Sequence, residues 1–265
     1  MKLSLVVPAY DESARISDSL RAMGSYLADQ PYDAEIVVVD DGSRDGTAGV
    51  VREIASGVSV PLRVLRYARN RGKGAALKVG FAAAIGDVIL FSDADLSTPI
   101  EEIAPLLARI EDGADLVIGS RHMRGSAVEQ RQPWYRTAMG SVFTLIVRAT
   151  IADVSDATCG FKAYRAEVGR DLFSRLRVYD WSFDAELLYL ARRAGYRLDE
   201  VPVRWADRAG TRVRLLRDSA SSLVGIARIL VNGALGRYDR PAELDVSPET
   251  WSLEVDGARG IDSVA

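Results

Sequence analysis

The first half of the chain alternates short apolar runs with amphipathic stretches. A short apolar run favours a buried strand, and an apolar period near 3.6 residues favours a helix. Strands are therefore expected at residues 3–7, 35–39, 62–66, 88–91 and 115–118, with helices at residues 13–28, 47–55 and 74–84. This alternation predicts an α/β fold, with a mostly parallel central sheet that is covered by helices on both faces.

The second half is less regular, and its long apolar stretches have helical spacing. Residues 134–151 are largely apolar, residues 183–194 are amphipathic, and residues 219–235 carry an apolar stripe on one face. After Pro241 the chain becomes polar and acidic, a composition typical of a disordered tail. We therefore expect three parts: a main domain at 1–218, an amphipathic helix at 219–238 and an acidic tail at 239–265.

Composition narrows the class of protein. The 265 residues are 48% hydrophobic, which is enough to bury a full core, and the net charge of −3 argues against a nucleic-acid binder. The single cysteine excludes an internal disulfide and fits a reducing compartment, while the single histidine disfavours a His-rich zinc site. Neither a secretory signal region nor an apolar run of about 18 residues is evident, so we expect a cytoplasmic protein without a membrane-spanning helix.

Two carboxylates follow the strand expected at residues 88–91. Asp93 and Asp95 lie just beyond it, at the edge where open α/β sheets bind their ligands. Such a pair can hold Mg²⁺ or Mn²⁺, which in turn binds the oxygens of a diphosphate. Alone, the pair is more typical of a solvated turn, so its interpretation depends on the loops that lie beside it.

The loop after the first strand combines a proline, an aromatic ring and a carboxylate. Pro8, Tyr10 and Glu12 suit the stacking and hydrogen bonding of a flat polar base. The alternative is an ordinary turn in which Asp11 or Ser13 caps the next helix.

The loops after the second and third strands are rich in glycine and charge. Asp45 is placed to cap a helix, which leaves Asp40 and Asp41 without a structural task, so we expect these two to bind a base or ribose. Residues 69–74 open a helix with glycines and Lys73, a composition that suits a phosphate. A solvated basic turn is the alternative there, and the spacing is not that of a P-loop.

Together these four segments resemble the signatures of family 2 glycosyltransferases of the GT-A fold. Along the chain they are Val-Pro-Ala-Tyr-Asp-Glu, Val-Val-Asp-Asp-Gly-Ser, Arg-Gly-Lys-Gly and Asp-Ala-Asp. Segments around Arg121, Arg136, Asp156 and residues 181–188 are similar to the dolichyl-phosphate β-glucosyltransferases and their bacterial polyprenyl-phosphate relatives. The resemblance spans roughly residues 1–238. It implies an inverting, metal-dependent enzyme that moves a hexose from a nucleotide-sugar such as UDP-glucose to a polyprenyl or dolichyl phosphate.

The resemblance also implies roles for individual residues on the donor side. Asp93 would contact the nucleotide-sugar, and Asp95 would hold the Mg²⁺ or Mn²⁺ ion, with Asp93 close to it. Asp184 and Glu186 would contact the sugar or support the residues that do. The nucleoside and its phosphates would be bound by Pro8, Tyr10, Glu12, Asp40 and Lys73.

On the acceptor side, the resemblance implies that Arg121 and Arg136 bind a phosphate, with Arg131 as a weaker candidate. A phosphate is already anionic at neutral pH, so positioning and charge neutralisation matter more than a base. A hydroxyl acceptor would need a carboxylate base, and Asp156, which the resemblance places beside the acceptor or the sugar, is our choice. The alternative for Asp156 is a helix or turn cap.

Several alternatives follow from the same sequence. The apolar stretches at 134–151 and 219–235 either lie on the inner face of a membrane and receive a lipid acceptor, or pack on the main domain or a partner subunit of an oligomer. The acceptor could instead be a soluble hydroxyl compound. A nucleotidyltransferase is disfavoured by the loop after the first strand, and a non-catalytic sugar-nucleotide-binding protein is disfavoured by the intact Asp93, Asp95 and Arg121.

Overall fold

The computed structural model describes residues 1–130, 133–208 and 215–244, and within them the chain forms nine strands and eight α-helices. The strands are β1 (Lys2–Ala9), β2 (Asp33–Asp40), β3 (Leu62–Arg66), β4 (Val88–Ser92), β5 (Leu116–Ser120), β6 (Ala127–Gln130), β7 (Phe161–Arg165), β8 (Leu198–Pro202) and β9 (Arg204–Ala206). The helices are α1 (Ile16–Ala28), α2 (Thr47–Ile54), α3 (Lys73–Ala83), α4 (Ile103–Glu111), α5 (Trp134–Thr150), α6 (Ala166–Arg175), α7 (Phe183–Ala194) and α8 (Leu215–Ala234).

Seven of these strands form the central sheet, in the order β3-β2-β1-β4-β7-β5-β8, and β6 pairs separately with β9. β1 runs parallel to β2 and β4, and β2 runs parallel to β3. β7 is inserted antiparallel between β4 and β5. The prediction of a mostly parallel sheet is confirmed.

Both faces of the sheet are buried, because the strand side chains on each face pack into a separate hydrophobic core. In β2, Ile36 and Val38 pack into one core, whereas Val37 and Val39 pack into the other. This alternation of uniformly apolar side chains is what a parallel sheet covered on both faces requires. It confirms the expectation of helices on both sides.

The expected elements of the first half are present, with small shifts at their ends. The largest shift is in α1, which begins at Ile16 rather than at residue 13. Four strands and two helices were not foreseen: β6, β7, β8, β9, α4 and α6.

The C-terminal part of the described chain folds back onto the main domain. α8 lies beside α5 and α7, and the segment that follows it reaches α6. There the backbone N–H of Ala242 donates to the carbonyl of Ser174 at 2.8 Å. Residues 239–244 of the expected tail therefore run along the domain, while residues 245–265 lie outside the described residues. In the described part of the chain, no helix is both long enough and apolar enough to cross a membrane.

Candidate active site

The loops singled out in the sequence meet at one edge of the central sheet. β1 lies between β2 and β4, so the order of the parallel strands reverses beside it. A crevice forms at such a reversal, outside the carboxyl ends of the strands, and open α/β sheets bind ligands there. β5 ends at the same edge, and β7 begins there because it runs antiparallel.

The loops after β1 and β2 are joined to each other by hydrogen bonds. The N–H of Asp11 donates to Ser43 Oγ at 2.9 Å, and Asp11 Oδ1 accepts from the N–H of Arg44 at 2.7 Å. The N–H of Ser13 donates to Asp45 Oδ2 at 3.0 Å. No side chain caps α1, so the capping alternative for Asp11 and Ser13 is wrong. These contacts instead fix the loop that carries Tyr10 and Glu12, which follows Pro8 at the end of β1.

Asp40 lies at the end of β2 and is fully buried. Its Oδ1 accepts from the N–H of Ser43 at 2.8 Å, whereas its Oδ2 has no hydrogen-bond partner among the described residues. The nearest cation is Arg66, whose Nε is 3.4 Å from Oδ2. A buried carboxylate oxygen without a donor is costly, and it is a group that a bound ligand would satisfy.

Asp41, by contrast, is used by the protein itself. Its carboxylate accepts from the N–H of Arg71 at 2.7 Å, from the N–H of Gly72 at 2.9 Å and from Asn70 Nδ2 at 2.8 Å. Burial raises the pKa of Asp41 even though the N–H donors of Arg71 and Gly72 oppose the shift. The premise that Asp41 has no structural task is therefore wrong, because its carboxylate holds the loop that leads into α3.

Lys73, the first residue of α3, forms an ion pair with Asp93 beyond β4. Its Nζ lies 5.5 Å from the ring centroid of Phe91 and 5.8 Å from that of Phe183. Burial alone would lower the pKa of Lys73, but the carboxylates of Asp93 and Asp184 outweigh it and raise the pKa. The lysine is thus a fixed cation, and the Asp93 side chain beside it is still 40% exposed.

Arg15 joins the first loop to the carboxylate pair, and the sequence reasoning missed it. It pairs with Glu12, with Nη2 donating to Oε1 at 2.8 Å, and its Nη1 lies 3.6 Å from Asp95 Oδ2. Asp95 Oδ1 accepts from the N–H of Ser97 at 2.9 Å. Leu96, between Asp95 and Ser97 in the chain, has a φ of +50°, a strained conformation for a non-glycine residue. The only local signal for Arg15 is its three-residue spacing from Glu12.

The carboxylates at this edge fit a hard divalent cation that is bound partly by the protein and partly by a substrate. Asp93 and Asp95 supply two carboxylates, and the described residues contain no cluster of three or more metal-ligating His, Cys, Asp or Glu side chains. Mg²⁺ and Mn²⁺ are commonly held by one or two carboxylates together with substrate phosphates, so the donor set fits such a site.

Gly160, just before β7, leaves the space that Asp93 occupies. A Cβ atom built on Gly160 would lie 2.0 Å from Asp93 Oδ2 and 2.5 Å from its Cγ. The Asp93 carboxylate can therefore occupy this position only because residue 160 has no side chain.

Arg121, just beyond β5, is held by the buried carboxylate of Asp156. Nε donates to Oδ2 at 2.7 Å and Nη2 donates to Oδ1 at 2.8 Å, while Nη2 also reaches Thr158 Oγ1 at 2.8 Å. Burial would raise the pKa of Asp156, but the guanidinium outweighs it and holds the pKa well below its usual range. A carboxylate in this state is a poor proton acceptor, which argues against the base role expected for Asp156.

The remaining candidates lie deeper or outside the described part. Asp184 is buried and pairs with Lys162 Nζ at 2.5 Å. Glu186 is fully buried and accepts hydrogen bonds from the protein, so it supports other residues instead of facing a ligand. Arg131 lies outside the described residues, as does the side chain of Arg136.

The sheet with a strand-order reversal, and the carboxylate pair and lysine at its edge, agree with the GT-A type of nucleotide-diphospho-sugar transferase fold. The sequence model of the glycosyl transferase family 2 matches residues 4–173. The chain belongs to this family, and it is a glycosyltransferase.

Two relatives illustrate where in the family the chain falls. It is 35% identical over 224 residues to a dolichyl-phosphate beta-glucosyltransferase of Trichomonas vaginalis, covering 80% of this chain and 66% of the relative. It is 32% identical over 246 residues to the dolichyl-phosphate beta-glucosyltransferase of Dictyostelium discoideum, covering 88% of this chain and 75% of the relative.

The fold also matches solved structures. Glucosyl-3-phosphoglycerate synthase from Mycobacterium tuberculosis, in complex with Mn²⁺, UDP and glucosyl-3-phosphoglycerate, superposes with a TM-score of 0.64 at 23% identity. The match covers 96% of this chain and 88% of that one. At this identity the likeness establishes the GT-A fold.

Proposed function

We propose that this chain transfers a hexose from a nucleotide-sugar of the UDP-glucose class to the phosphate of a polyprenyl or dolichyl lipid, with inversion at the anomeric carbon and with a divalent metal. One observation carries the proposal: Asp40 Oδ2, which has no hydrogen-bond donor among the described residues, and the Lys73–Asp93 pair, with Asp95 beside it, lie at the same sheet edge. The family membership and the dolichyl-phosphate relatives support this choice of donor and acceptor.

On the donor side, the base would lie against Pro8 and Tyr10, and its N–H would donate to Asp40 Oδ2. A ligand there would supply the hydrogen-bond donor that this buried oxygen lacks. Glu12, paired with Arg15, would support this loop, and Asp41 would act indirectly by holding the loop before Lys73.

At the diphosphate, Lys73 supplies a fixed positive charge and Asp93 faces the sugar. A Mg²⁺ or Mn²⁺ ion held by Asp95 and Asp93 would neutralise charge on the leaving diphosphate. Lys73 and the carboxylate of Asp93 are in direct contact, so the cation and the lysine would meet the diphosphate side by side. This arrangement favours departure of the nucleoside diphosphate.

On the acceptor side, an oxygen of the lipid phosphate attacks C1 of the sugar from the face opposite the diphosphate. The new bond joins C1 to the phosphate oxygen, and the bond between C1 and the diphosphate oxygen breaks, so the configuration inverts. The nucleophile is already an anion, and no proton has to be removed. Arg121, oriented by Asp156, and Arg136 would hold the acceptor phosphate in place.

The proposed lipid acceptor agrees with the surface of α5 and α8, which pack against each other. Leu145 on α5 is 65% exposed and Val231 on α8 is 54% exposed, among other exposed apolar side chains: Trp134, Val142, Leu223, Val224 and Leu235. Residues 133–150 and 222–235 contain no acidic residue, in a chain with 37 of them. Apolar side chains in two stretches that lack acidic residues fit the interface of an anionic membrane.

The donor and acceptor are tested by measuring UDP release from UDP-glucose with a polyprenyl phosphate in detergent, with and without Mn²⁺. We expect release to require both the lipid phosphate and the metal, and Asp95→Asn to lower it about 100-fold or more. Asp18→Asn is the control, because Asp18 lies on α1 with its side chain 95% exposed. Equal release by Asp95→Asn and the unaltered protein would rule out the metal role.

A soluble hydroxyl acceptor is the second candidate, favoured by the fold that this chain shares with an enzyme solved in complex with glucosyl-3-phosphoglycerate. In the same assay, 3-phosphoglycerate replaces the lipid phosphate. Release with phosphoglycerate but not with the lipid would favour this candidate. The low pKa of Asp156 speaks against it, because a hydroxyl acceptor needs a base.

Membrane docking is tested by co-sedimentation with vesicles that contain anionic lipid. The double variant Leu145→Gln/Val231→Gln should remain in the supernatant while the unaltered protein sediments. Ile85→Gln is the matched control, because Ile85 is 56% exposed and lies near the opposite sheet edge. If the control and the double variant sediment alike, the face of α5 and α8 is not the docking surface.

A further inference from the structure

We propose that residues 237–242, at the C-terminal end of the described chain, position Lys73 for the donor diphosphate through a connected set of hydrogen bonds. In this proposal Tyr238 and Glu186 are positioning residues, and neither touches the substrate. The inference rests on the donor role proposed for Lys73, and the experiment below separates the failure of one from the failure of the other.

The C-terminal segment is fixed to the domain by buried contacts. The Tyr238 ring is 1% exposed, and its hydroxyl donates to Glu186 Oε1 at 2.5 Å. Arg177 Nη2 donates to the carbonyl of Arg237 at 2.7 Å. The N–H of Ala242 is bonded to α6, as described above. The segment therefore has a defined position on the domain instead of trailing from it.

Glu186 connects the C-terminal segment to the loop between α6 and α7, because its carboxylate binds both. Its Oε2 accepts from the N–H of Val178 at 2.7 Å and from the N–H of Arg177 at 3.0 Å. Since Glu186 is fully buried, each of these donors compensates a charge that water cannot reach. Removing the Tyr238 hydroxyl would leave one oxygen of that carboxylate without its donor, so the loop must adjust.

The next link joins this loop to the start of α3. The carbonyl of Tyr179 accepts from the N–H of Gly74 at 3.2 Å. A Cβ built on Gly72 would lie 2.4 Å from the same carbonyl oxygen, so only glycine permits the close approach. Lys73 stands between these two glycines. On the other side Asp41 holds the N–H of Gly72, and the lysine backbone is thus fixed from both sides.

A second contact ties the same helix to the C-terminal segment directly. Lys78, one and a half turns along α3 from Lys73, is buried. Its Nζ donates to the carbonyls of Ser174 at 2.8 Å, Leu176 at 3.2 Å and Ala242 at 2.7 Å. Both routes end on α3, so a shift of the C-terminal segment is expected to move Lys73.

The test measures the affinity for UDP in the presence of Mn²⁺ by calorimetry. Tyr238→Phe should raise the Kd for UDP by about threefold to tenfold, because one charge-assisted hydrogen bond in the network is lost. Tyr32→Phe is the control: its ring packs against the core on one face of the sheet, whereas Leu77 and Phe81 of α3 belong to the core on the other face. The control should bind UDP like the unaltered protein.

A double-mutant cycle with Lys73→Met identifies the route. If the segment acts through Lys73, Tyr238→Phe should have little further effect on the Kd once Lys73 is replaced. Additive effects, or an unchanged Kd with only a lower Tm, would overturn the inference. If Lys73→Met alone leaves UDP affinity unchanged, the donor role of Lys73 fails instead. Glu186→Gln, which keeps the size and one acceptor oxygen, serves as the second variant if Tyr238→Phe does not fold.

Discussion

Arg121 and Asp156 form a bidentate ion pair, with Nε donating to Oδ2 at 2.7 Å and Nη2 donating to Oδ1 at 2.8 Å. Asp156 is fully buried, and the guanidinium is what keeps it ionised against the cost of burial. The backbone N–H of Asp156 donates in turn to Glu200 Oε1 at 3.2 Å. The pair therefore presents an oriented arginine at the sheet edge, which suits a phosphate acceptor better than a proton transfer.

The first prediction concerns the stability that this pair contributes. Asp156→Asn should lower the free energy of unfolding by about 3 kcal/mol at pH 7, because Arg121 is left without its buried counter-charge. A carboxylate with a lowered pKa contributes stability above its ordinary pKa of about 3.9 and loses it only as the pH falls through the lower, folded value. Urea denaturation should thus show the same difference across pH 5–8.

Asp153→Asn is the control for this experiment. Asp153 pairs with Arg148 at 2.8 Å, but its side chain is 84% exposed, and such pairs contribute within about 0.5 kcal/mol. A loss of stability in Asp156→Asn no larger than in the control would contradict the structural role of the pair.

The second prediction uses the space at Gly160. Gly160→Ala should lower the rate of UDP release at least about tenfold, because the new methyl group must displace the Asp93 carboxylate or its backbone. Gly49→Ala, in the exposed part of α2, introduces the same methyl group where no atom lies within 4 Å. That variant should keep full activity and gain a little stability. If both variants are equally active, the position of Asp93 is not critical.

The sheet and its ligand-binding edge were predictable because each of the first four strands contains a short apolar run and is followed by a polar loop. β7 was not, because it contains Lys162, and a lysine inside a strand normally marks an exposed position. Here its charge is compensated by Asp184 on α7, 22 residues further along the chain, and by the carbonyl of Cys159 at 2.7 Å. Compensation between distant residues leaves no periodic signal in the sequence.

Within the site, too, residues identified by their position in the chain were predictable, whereas residues that depend on distant contacts were not. Asp93 and Asp95 could be picked out because each follows a strand, and position alone carries the argument. Arg15 could not, since its contact with Asp95 depends on how the first and fourth strand-end loops meet across the sheet edge. Asp41 was misjudged for a related reason: its donors, including the N–H of Arg71, lie 30 residues further along the chain.

The third prediction concerns Arg15 and the metal. Arg15→Gln removes a positive charge 3.6 Å from Asp95 Oδ2, so the carboxylate should bind a cation more readily. Because Asp95 is partly exposed and screened by solvent, we expect the Mn²⁺ concentration for half-maximal UDP binding to fall only about threefold. Arg21→Gln, on the exposed face of α1, should leave this Mn²⁺ concentration unchanged. A higher Mn²⁺ requirement in Arg15→Gln would show that Arg15 supports the metal site more than it competes with it.

The last prediction concerns Lys78 and pH. Burial, together with the nearby charge of Arg177, lowers the pKa of Lys78 to about 8, whereas an unfolded lysine titrates near 10.4. Between these values the unfolded chain binds the proton and the folded chain does not, so this group makes the protein more stable as the pH rises. The difference in unfolding free energy between the unaltered protein and Lys78→Met should therefore shift in favour of the unaltered protein from pH 7.5 to pH 10.

Urea midpoints at several pH values measure this difference in unfolding free energy. The control is Lys2→Met, which replaces a lysine at the start of β1 and should show no such trend with pH. The three carbonyls around Lys78 Nζ act in the opposite direction, because they favour the ammonium form. A difference that stays constant with pH would mean that these carbonyls hold the proton at its ordinary pKa. The lysine would then join α3 to Ala242 as an ammonium group that loses its charge only as the pH approaches about 10.4.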